Sequence, residues 1–552
     1  MTATVPGIQA CYPLTPLQHG MLFQSLVAPA AGVNFQQVIC GLREAVDAER
    51  LERAWAAVMR RHDVLRTRFR WAGLPEPVQE VVPGVRLELT HHDAAHLAPA
   101  EREALLARYL DEDRARGFDL AAGTPMRFRL FRLGAEEWAL VWSFHHILLD
   151  ARSGLHLLDE VFALYDAAED EPALPERRPF RDYVAWLRDR DHSADEAYWR
   201  ARLQGMDAPV PVPAVRRAPR DPAAEPRYGT RELRLSPTAD AALRAFKREH
   251  GVNLNTLVQG AWALLLGRYT GCGEVVFGSV RGGRGAGLEG AEGMIGPMIN
   301  TVPVRVPLPP DAPVLGWLRE LAAANAPLRL HEHAALTDIA RWSGVPRGTA
   351  LFDSILNYQT ETFDAAFQGR GERWRGRSFR ILRRSGYPLS VAVYGEAPVR
   401  VTMDYDAELL DSAAADRMLG HFARLMEELA ADPARRLGAL DPLAPAERRR
   451  VAAEWNRTDA PYRASRCVHR LFEEQAALTP DHVAVVFGNE RLTYRQLDRR
   501  ADELARRLRR MGVGPDVRVG LCLEPGTEQV AWVLGAWKAG GAFVPLDPST
   551  PP

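Results

Sequence analysis

The hydrophobic pattern is clearest over residues 138–166, where an apolar run, a polar cluster and a helical repeat follow one another. The run over 138–144 has few polar side chains, which predicts a strand buried on both faces. From Leu155 to Tyr165 the apolar side chains recur at helical spacing, and Ser153 is in position to cap that helix. The loop between strand and helix carries His145, His146 and Asp150.

Helices and strands alternate on both sides of this stretch, which is typical of an α/β fold. Asp47 is in position to cap an amphipathic helix that ends in a basic run over 61–68. The apolar segment Met126–Leu133 forms a predicted hairpin with the histidine strand, so that strand is expected to be central in its sheet. Farther along, 232–235 predicts a strand and 254–269 a buried helix.

Two segments of biased composition divide the chain. Residues 209–226 are rich in proline, which cannot continue a helix or a central strand, so they predict an extended connector between two lobes. Residues 432–450 are charged and interrupted by prolines, which is typical of a linker. A chain of 552 residues is also too long for one hydrophobic core.

Composition narrows the functional classes. Apolar residues make up 47% and charged residues 26%, and the net charge of −1 gives no basic excess for binding nucleic acid. The five cysteines contain no CxxC pair, so neither a disulfide framework nor a zinc site is indicated, and no metal is expected. The N-terminus lacks a leader pattern, and no apolar run approaches the roughly 18 residues of a membrane span, so we expect a cytoplasmic protein without membrane contact.

One motif invites a cofactor assignment that the context does not support. Residues 285–290 match GxGxxG after an apolar strand at 275–280. A dinucleotide site needs a helix that begins at those glycines, because the helix N-terminus holds the pyrophosphate. The following segment, 294–306, instead predicts a strand, so we interpret the glycine-rich stretch 281–290 as a mobile loop.

The histidine motif HHILLDARS, which begins at His145, resembles the HHxxxDG signature of nonribosomal peptide synthetase condensation domains, members of the chloramphenicol-acetyltransferase-like superfamily. Six further stretches resemble the remaining condensation motifs in order, at 12–24, 61–69, 181–186, 294–305, 351–356 and 387–390. Downstream, 492–497 and 537–547 resemble the first two core motifs of adenylation domains.

The resemblance implies an α/β fold with two acetyltransferase-like lobes that form a V-shaped pseudodimer around a central tunnel, plus a truncated N-terminal segment of an adenylation domain. The implied boundaries are a first lobe over 1–185, a second lobe over 186–435, a linker over 436–465 and the adenylation segment over 466–552. The phosphate loop and catalytic lysine of that family would lie beyond Pro552, so we expect no ATP turnover.

The implied reaction is attack by the amine of an acceptor aminoacyl thioester on the carbonyl of a donor thioester. A free α-amine at neutral pH costs only roughly 1 kcal/mol, so the harder step is removal of the second amine proton. An imidazole with a pKa of about 6.5 is suited to that transfer. The resemblance assigns this role to His146, as a base or as a group that positions the amine, while His145 is expected to orient the loop.

Asp150 completes the expected catalytic set and has two possible roles. It could orient a histidine as in a hydrolase triad, or bind an arginine that shapes the loop. The resemblance favours the second role, with Arg61 or Arg66 turned inward as the partner. Expected to position the substrate are Ala151, Ser153 and Asn300, the last of them facing the reaction channel.

Ala151 departs from the family pattern, which has glycine at that position, and Arg152 follows it. An alanine is tolerated if its φ is negative. Otherwise its methyl group would narrow the channel.

The expected partners are donor and acceptor carrier domains, because the chain carries no carrier-protein signature. Each would bring a 4′-phosphopantetheine arm of roughly 20 Å, so no cofactor is expected on the chain itself, and a downstream adenylation domain is a third partner. Flanking segments at 12–26, 69–79 and 345–348 resemble domains that join a D-configured donor to an L-configured acceptor.

Two related enzymes do not fit the sequence: an epimerization domain would carry an EGHGRE-like motif, and a cyclization domain would replace the histidines by a DxxxxD pattern. A catalytically impaired domain that recruits carriers remains the alternative.

Overall fold

The computed structural model describes residues 7–85, 87–167, 172–206, 228–285, 287–346, 348–461 and 465–549. The chain divides into two compact units, Met1–Arg448 and Arg449–Pro552. The predicted proline-rich connector and Arg347 lie outside the described residues. None of the helices in the described part of the chain has the length and apolar composition needed to cross a bilayer.

The first lobe of the larger unit is built on a five-stranded sheet. The strands of this lobe are β1 (Ala10–Pro13), β2 (Phe35–Leu42), β3 (Thr67–Arg70), β4 (Val78–Val81), β5 (Leu89–Asp93), β6 (Met126–Arg132) and β7 (Trp138–His145). Strands β2, β5, β6 and β7 belong to the five-stranded sheet, whose fifth strand comes from later in the chain, while β1, β4 and β3 form a separate three-stranded sheet in that order. The helices of this lobe are α1 (Pro16–Val27), α2 (Ala48–Arg61), α3 (Pro99–Arg116), α4 (Ala151–Asp166) and α5 (Phe180–Asp189). The next helix, α6 (Ser193–Leu203), buries Trp199 and Leu203 in the core of the second lobe. Strand β7 lies between β2 and β6, and every residue of β7 after Trp138 is buried, so the predicted central strand is confirmed.

The second lobe contains a six-stranded sheet. Its six strands are β8 (Tyr228–Arg234), β9 (Glu274–Arg281), β10 (Asn300–Pro307), β11 (Ser354–Gln359), β13 (Leu389–Tyr394) and β14 (Arg400–Asp406), and β12 (Arg377–Leu382) lies between β11 and β13 in the chain but outside this sheet. Its helices are α7 (Pro237–His250), α8 (Leu254–Thr270), α9 (Val314–Asn325), α10 (Leu328–His331), α11 (Leu336–Trp342), α12 (Phe363–Gln368), α13 (Ser412–Ala431) and α14 (Pro445–Arg449). The sheet order is β10-β9-β11-β13-β14-β8, with β11 parallel to both neighbours.

Strand β12 leaves the second lobe and completes the sheet of the first. It pairs antiparallel with β2, from Arg377 opposite Leu42 to Leu382 opposite Gln37. Phe379 of this strand is buried in the first-lobe core, and the Arg377 guanidinium binds the carboxylates of Glu44 and Asp166. The two lobes therefore share a sheet.

The smaller unit contains a short π-helical turn (Arg450–Glu454), α15 (Val468–Leu478), β15 (Val483–Phe487), β16 (Glu490–Thr493), α16 (Tyr494–Arg510), β17 (Arg518–Cys522), α17 (Thr527–Ala539) and β18 (Ala542–Leu546). Strands β15 and β16 form a hairpin, and β17 and β18 form a parallel pair. Helices α16 and α17 pack on each other through small side chains such as Ala501 and Ala531. The four predicted segment boundaries stay a prediction.

Two local predictions are wrong. Helix α4 begins at Ala151 rather than Leu155, because the Asp150 carboxylate accepts the Ser153 N–H and caps the helix one turn earlier. The strand predicted over 294–306 begins only at Asn300, since the preceding Met298 N–H donates to Asp150 and is not free for a sheet ladder. After Gly290 of the GxGxxG motif the described residues form only a short 3₁₀ turn, Ala291–Gly293.

Candidate active site

The histidine motif lies at the end of the central strand. His145 is the last residue of β7 and stands opposite Phe35 of β2. The next backbone N–H, from His146, donates to the Asn34 carbonyl at 2.7 Å, and the Asn34 N–H donates to the Arg384 carbonyl at 3.2 Å. The segment of Asn34 and Phe35 therefore holds the motif, and it is held in turn by the segment of Arg384.

His145 has both ring nitrogens engaged by the protein. Its Nδ1 accepts the Ile147 N–H at 3.1 Å, so Nε2 carries the proton and donates to Ser25 Oγ at 2.9 Å. The Ser25 hydroxyl donates in turn to the Met21 carbonyl of α1. Burial lowers the pKa of His145 to about 3, and the neighbouring His146 acts in the same direction. His145 is therefore neutral and tied to α1, which fits the expected role in orienting the loop.

His146 has one ring nitrogen anchored and one available. Its Nδ1 lies 2.5 Å from the Leu149 carbonyl and therefore carries the proton, while no described residue hydrogen-bonds Nε2. Burial and the charge of Arg383 lower the pKa of His146, and the Leu149 carbonyl and Asp150 only partly oppose them. The imidazole is neutral at neutral pH, with a lone pair on Nε2.

This histidine lines a cavity of about 720 Å³ between the two lobes. The first lobe contributes side chains such as Gln24 and Gln36, and the second contributes Tyr358 and Arg383. Cavities at such interfaces are common binding sites. The predicted central tunnel corresponds to this space.

Asp150 is fully buried, and its carboxylate hydrogen-bonds neither imidazole among the described contacts. Its carboxylate binds Arg284 Nη2 at 2.8 and 2.9 Å and accepts the N–H groups of Ser153 and Met298. Burial raises the pKa of Asp150, but Arg284 and the Ser153 N–H lower it by more, so the pKa falls below its ordinary value. Asp150 thus makes the arginine contact of the second expected role, with Arg284 as the partner, and this pair joins the motif to the second lobe. Its place in the catalytic set stays a prediction.

The predicted partners of Asp150 were wrong. Arg61 contacts Glu160 and the carbonyl of Pro175. Arg66 binds Asp63 at 2.7 Å and also donates to the Met59 carbonyl. Both guanidinium groups are bound by acceptors within the first lobe, so neither reaches Asp150.

Ser153 does not reach the cavity. Its hydroxyl donates to the Gly296 carbonyl at 2.9 Å, and the same oxygen accepts the Gly296 N–H and Arg284 Nη2. All of its hydrogen-bonding capacity is used between the lobes. The prediction that Ser153 positions substrate is therefore not supported, and its contacts are structural.

Ala151 and Asn300 both line the cavity, as predicted. Ala151 is the first residue of α4, and its φ is not positive. Its backbone conformation therefore does not require glycine. The Asn300 amide donates to the carbonyls of Glu332 and Ala334, both at 2.8 Å. Asn300 therefore shapes the wall by holding the turn before α11.

Sequence reasoning missed Arg284 and Arg383. Arg284 is one of two arginines in the glycine-rich stretch 281–290, which was interpreted above as a mobile loop, and nothing in that stretch distinguishes it from Arg281. Arg383 directly follows β12, and its Nη2 donates to Tyr394 OH at 3.0 Å. Arg383 lies beside the cavity because β12 crosses from the second lobe to the sheet of the first. The local hydrophobic pattern does not predict this crossing.

Comparison with known proteins supports the architecture. The condensation-domain family matches residues 8–451, and the AMP-binding enzyme family matches residues 472–552. A linear gramicidin synthase of Brevibacillus parabrevis is 41% identical over 547 residues, which cover 99% of this chain and 10% of the relative. The chain thus spans about a tenth of that relative's length.

Two solved structures share the fold. A four-domain nonribosomal peptide synthetase solved with AMP and glycine has a TM-score of 0.77 and 18% identity, covering 100% of this chain and 42% of that chain. The X-domain from teicoplanin biosynthesis has a TM-score of 0.66 and 26% identity, covering 80% of this chain and 99% of that chain. The expected two-lobed fold with a short adenylation-type segment is confirmed. Since the condensation-domain match covers most of the residues, the chain belongs to the condensation-domain family of nonribosomal peptide synthetases and continues into an AMP-binding segment.

Proposed function

We propose that this protein forms an amide bond between two thioester-bound substrates. The acceptor amine attacks the donor thioester carbonyl, a C–N bond forms, the C–S bond breaks, and the donor carrier is released as a thiol. The single observation that carries the proposal is the neutral His146 imidazole, which lines the cavity between the lobes with Nε2 free of described protein partners.

His146 Nε2 is proposed to accept the amine proton as the C–N bond forms and to return it to the departing sulfur. The lowered pKa of His146 keeps this nitrogen unprotonated at neutral pH, where the amine is also readily deprotonated. The Nδ1 contact with Leu149 fixes the tautomer and the ring orientation. Asp150 and Arg284 act indirectly, since they hold the loop on which His146 stands.

The two substrates are proposed to arrive on donor and acceptor carrier domains, each through a 4′-phosphopantetheine arm. The continuation into an AMP-binding segment supports cooperation with an adenylation domain, and ATP turnover by residues 466–552 alone is not expected. A D-configured donor and an L-configured acceptor are proposed from the resemblance of the flanking segments. A cytoplasmic location is proposed from the cysteine pattern.

A single-turnover assay followed by intact-protein mass spectrometry tests the proposal. Purified protein is mixed with a donor carrier loaded with a D- or L-aminoacyl thioester and an acceptor carrier loaded with an L-aminoacyl thioester. The expected result is mass transfer from the D-loaded donor to the acceptor carrier, with loss of transfer in His146→Ala. Equal transfer from the L-loaded donor would contradict the donor assignment.

Carrier binding without transfer, in the wild type and in Ala151→Gly alike, would instead support a recruitment domain. The absence of a positive φ at Ala151 argues against such an impairment.

A further inference from the structure

The cavity that contains His146 has a charged corner, which we define by Arg383, Arg384 and Asp404. The His146 N–H donates to the Asn34 carbonyl, and the Asn34 N–H donates to the Arg384 carbonyl, so one chain segment separates the motif from this corner. Two spacings between neighbouring extended segments amount to roughly 10 Å. A peptide residue spans about 3.5 Å, so the group next to a carbonyl that reacts at His146 can reach the side chains of the corner.

The corner carries an excess of positive charge. Two other arginines that line the cavity are neutralised by ion pairs, Arg152 by Glu292 at 3.7 Å and Arg281 by Glu332 at 2.9 Å. The remaining charged lining residues are Arg383, Arg384, Asp404 and the exposed Glu361. In the described part of the chain, neither arginine of the corner has a carboxylate within ion-pair distance. Two cations therefore face one carboxylate.

Arg383 and Asp404 attract each other without forming a direct pair. Arg383 Nη2 donates to Tyr394 OH at 3.0 Å, and its Nε and Nη1 have no described acceptor. Asp404 Oδ1 accepts the Thr230 hydroxyl at 2.7 Å, and Oδ2 has no described donor. Burial raises the pKa of Asp404 above its ordinary value, and the charge of Arg383 only partly opposes this. Enclosed charges are costly unless they are partnered, so the corner favours a polar group that bridges the two side chains.

A neutral secondary amide suits this corner better than an ammonium group. The amide oxygen accepts from the Arg383 guanidinium while the amide N–H donates to Asp404 Oδ2. An ammonium group offers the guanidinium no acceptor and is repelled by the excess positive charge. A model α-amine has a pKa of about 7.7 to 8.0, so a free α-amine is mostly an ammonium at neutral pH.

We propose that the charged corner binds the acylated α-nitrogen of the donor, so that the protein uses peptidyl and other N-acylated donors in preference to donors with a free α-amine. The inference rests on the proposed function. The amide belongs to the donor, because the α-nitrogen of the acceptor is the nucleophile and has to be a free amine. Arg383 binds the acyl carbonyl, and Asp404 accepts the amide N–H.

Single-turnover transfer measures this preference. Alanyl and N-acetylalanyl groups, each in the D and the L configuration, are loaded on the same donor carrier and offered with one L-alanyl acceptor carrier. The quantity is the ratio of the transfer rate constant of the N-acetyl donor to that of the free-amine donor, in which damage common to both donors cancels. We expect a wild-type ratio of about tenfold or more, the scale of one charge-assisted hydrogen bond. A ratio near one overturns the proposal.

Substitutions of the two partners should move this ratio in opposite directions. Arg383→Met removes both the donor to the acyl carbonyl and the repulsion of the ammonium, so the ratio should fall about tenfold. Asp404→Asn keeps an oxygen for the amide N–H but removes the charge that attracts the ammonium, so the ratio should rise. Arg380→Met, which removes an exposed arginine of β12, is the matched control with an unchanged ratio. A preference that neither corner variant changes arises elsewhere and overturns the assignment.

If neither donor is transferred in either configuration, the proposed function fails, and calorimetry still tests the corner. The probes are the alanyl and N-acetylalanyl thioesters of N-acetylcysteamine. Tighter binding of the N-acetyl compound by the wild type, lost in Arg383→Met, supports recognition of the amide by the corner. Equal affinities in the wild type overturn it.

Discussion

His145 and His146 are adjacent in sequence and have nearly opposite environments. His145 faces α1, and both its ring nitrogens are bound by protein groups. His146 faces the cavity, with one nitrogen anchored and the other free of described partners. Successive residues at a strand end point to opposite sides. The His145 ring therefore makes structural hydrogen bonds, while the His146 ring faces the cavity, where it can accept a proton.

The two histidines do not differ in charge at neutral pH. The pKa values of both are lowered, chiefly by burial, and that of His145 falls to about 3. What distinguishes them is the lone pair on His146 Nε2. A useful base in this fold is therefore identified by its unbound nitrogen more than by its pKa.

His146→Ala removes the imidazole that faces the cavity and should have the largest effect. We expect the single-turnover transfer rate to fall by about 10²- to 10⁴-fold, because the proton acceptor is removed while the anchoring contacts of His145 remain. The unfolding transition should change little, which separates this loss from misfolding. A variant that retains most of the transfer rate would remove His146 from the reaction.

Arg284→Ala should instead destabilise the loop that carries both histidines, because it removes the ion-pair partner of Asp150. Removing one partner of the buried Asp150 pair is expected to lower the free energy of unfolding by about 3–5 kcal/mol in denaturant titrations. Arg341→Ala, which breaks an exposed pair with Asp338, is the matched control and should cost less than about 1 kcal/mol.

The contribution of the Asp150–Arg284 pair to the free energy of unfolding should depend on pH. Because the folded pKa of Asp150 lies below its ordinary value, its stabilisation is present above about pH 4 and is lost as the pH falls through the folded pKa. Arg284→Ala should flatten this acid-side decline. An unchanged decline would show that other carboxylates dominate it.

His145→Asn should have a smaller effect, centred on stability. We expect a loss of about 1–3 kcal/mol in the free energy of unfolding, because the Ile147 N–H and the Ser25 hydroxyl lose their partner. The unfolded imidazole binds a proton near pH 6.5, whereas the folded one resists protonation down to about 3, so wild-type stability falls as the pH decreases between these values.

The variant should show a shallower pH slope over that range. Ser25→Ala, which removes only the Nε2 contact, should keep the wild-type slope. If His145→Asn leaves the slope unchanged, the side chain is protonated in the folded protein and the comparison of the two histidines fails.

Ala151→Gly should have the smallest effect. The alanine has no positive φ, so glycine relieves no strain and weakens the start of α4 by about 0.5–1 kcal/mol. Transfer should stay within about threefold of wild type. A rise of more than tenfold would instead show that the Ala151 methyl group obstructs the cavity.

Local pattern was enough to predict the elements that carry the motif. The apolar run of β7, the hairpin with β6 and the Asp47 cap of α2 each depend on neighbouring residues, and each is confirmed. The family followed from the order of several motifs. The cap of α4 was misplaced because both Asp150 and Ser153 are good capping residues, and only the backbone geometry distinguishes them.

The contacts that shape the site could not be predicted in this way. Asp150 and Arg284 are 134 residues apart, and nothing near either one marks the other as its partner. Arg61 and Arg66 were nearer in sequence to the motif and equally basic. Long-range pairing of charges depends on the packing of whole lobes, which periodicity does not describe.

The crossing of β12 has a consequence for recombining such domains. Because Arg377–Leu382 completes the sheet of the first lobe, the lobes are not interchangeable cassettes. A chimera that exchanges the second lobe also replaces an edge strand of the first, together with the anchor from Arg377 to Glu44 and Asp166. Substrate-swapping designs should therefore graft β12 with its original sheet partner, β2, or redesign both strands together.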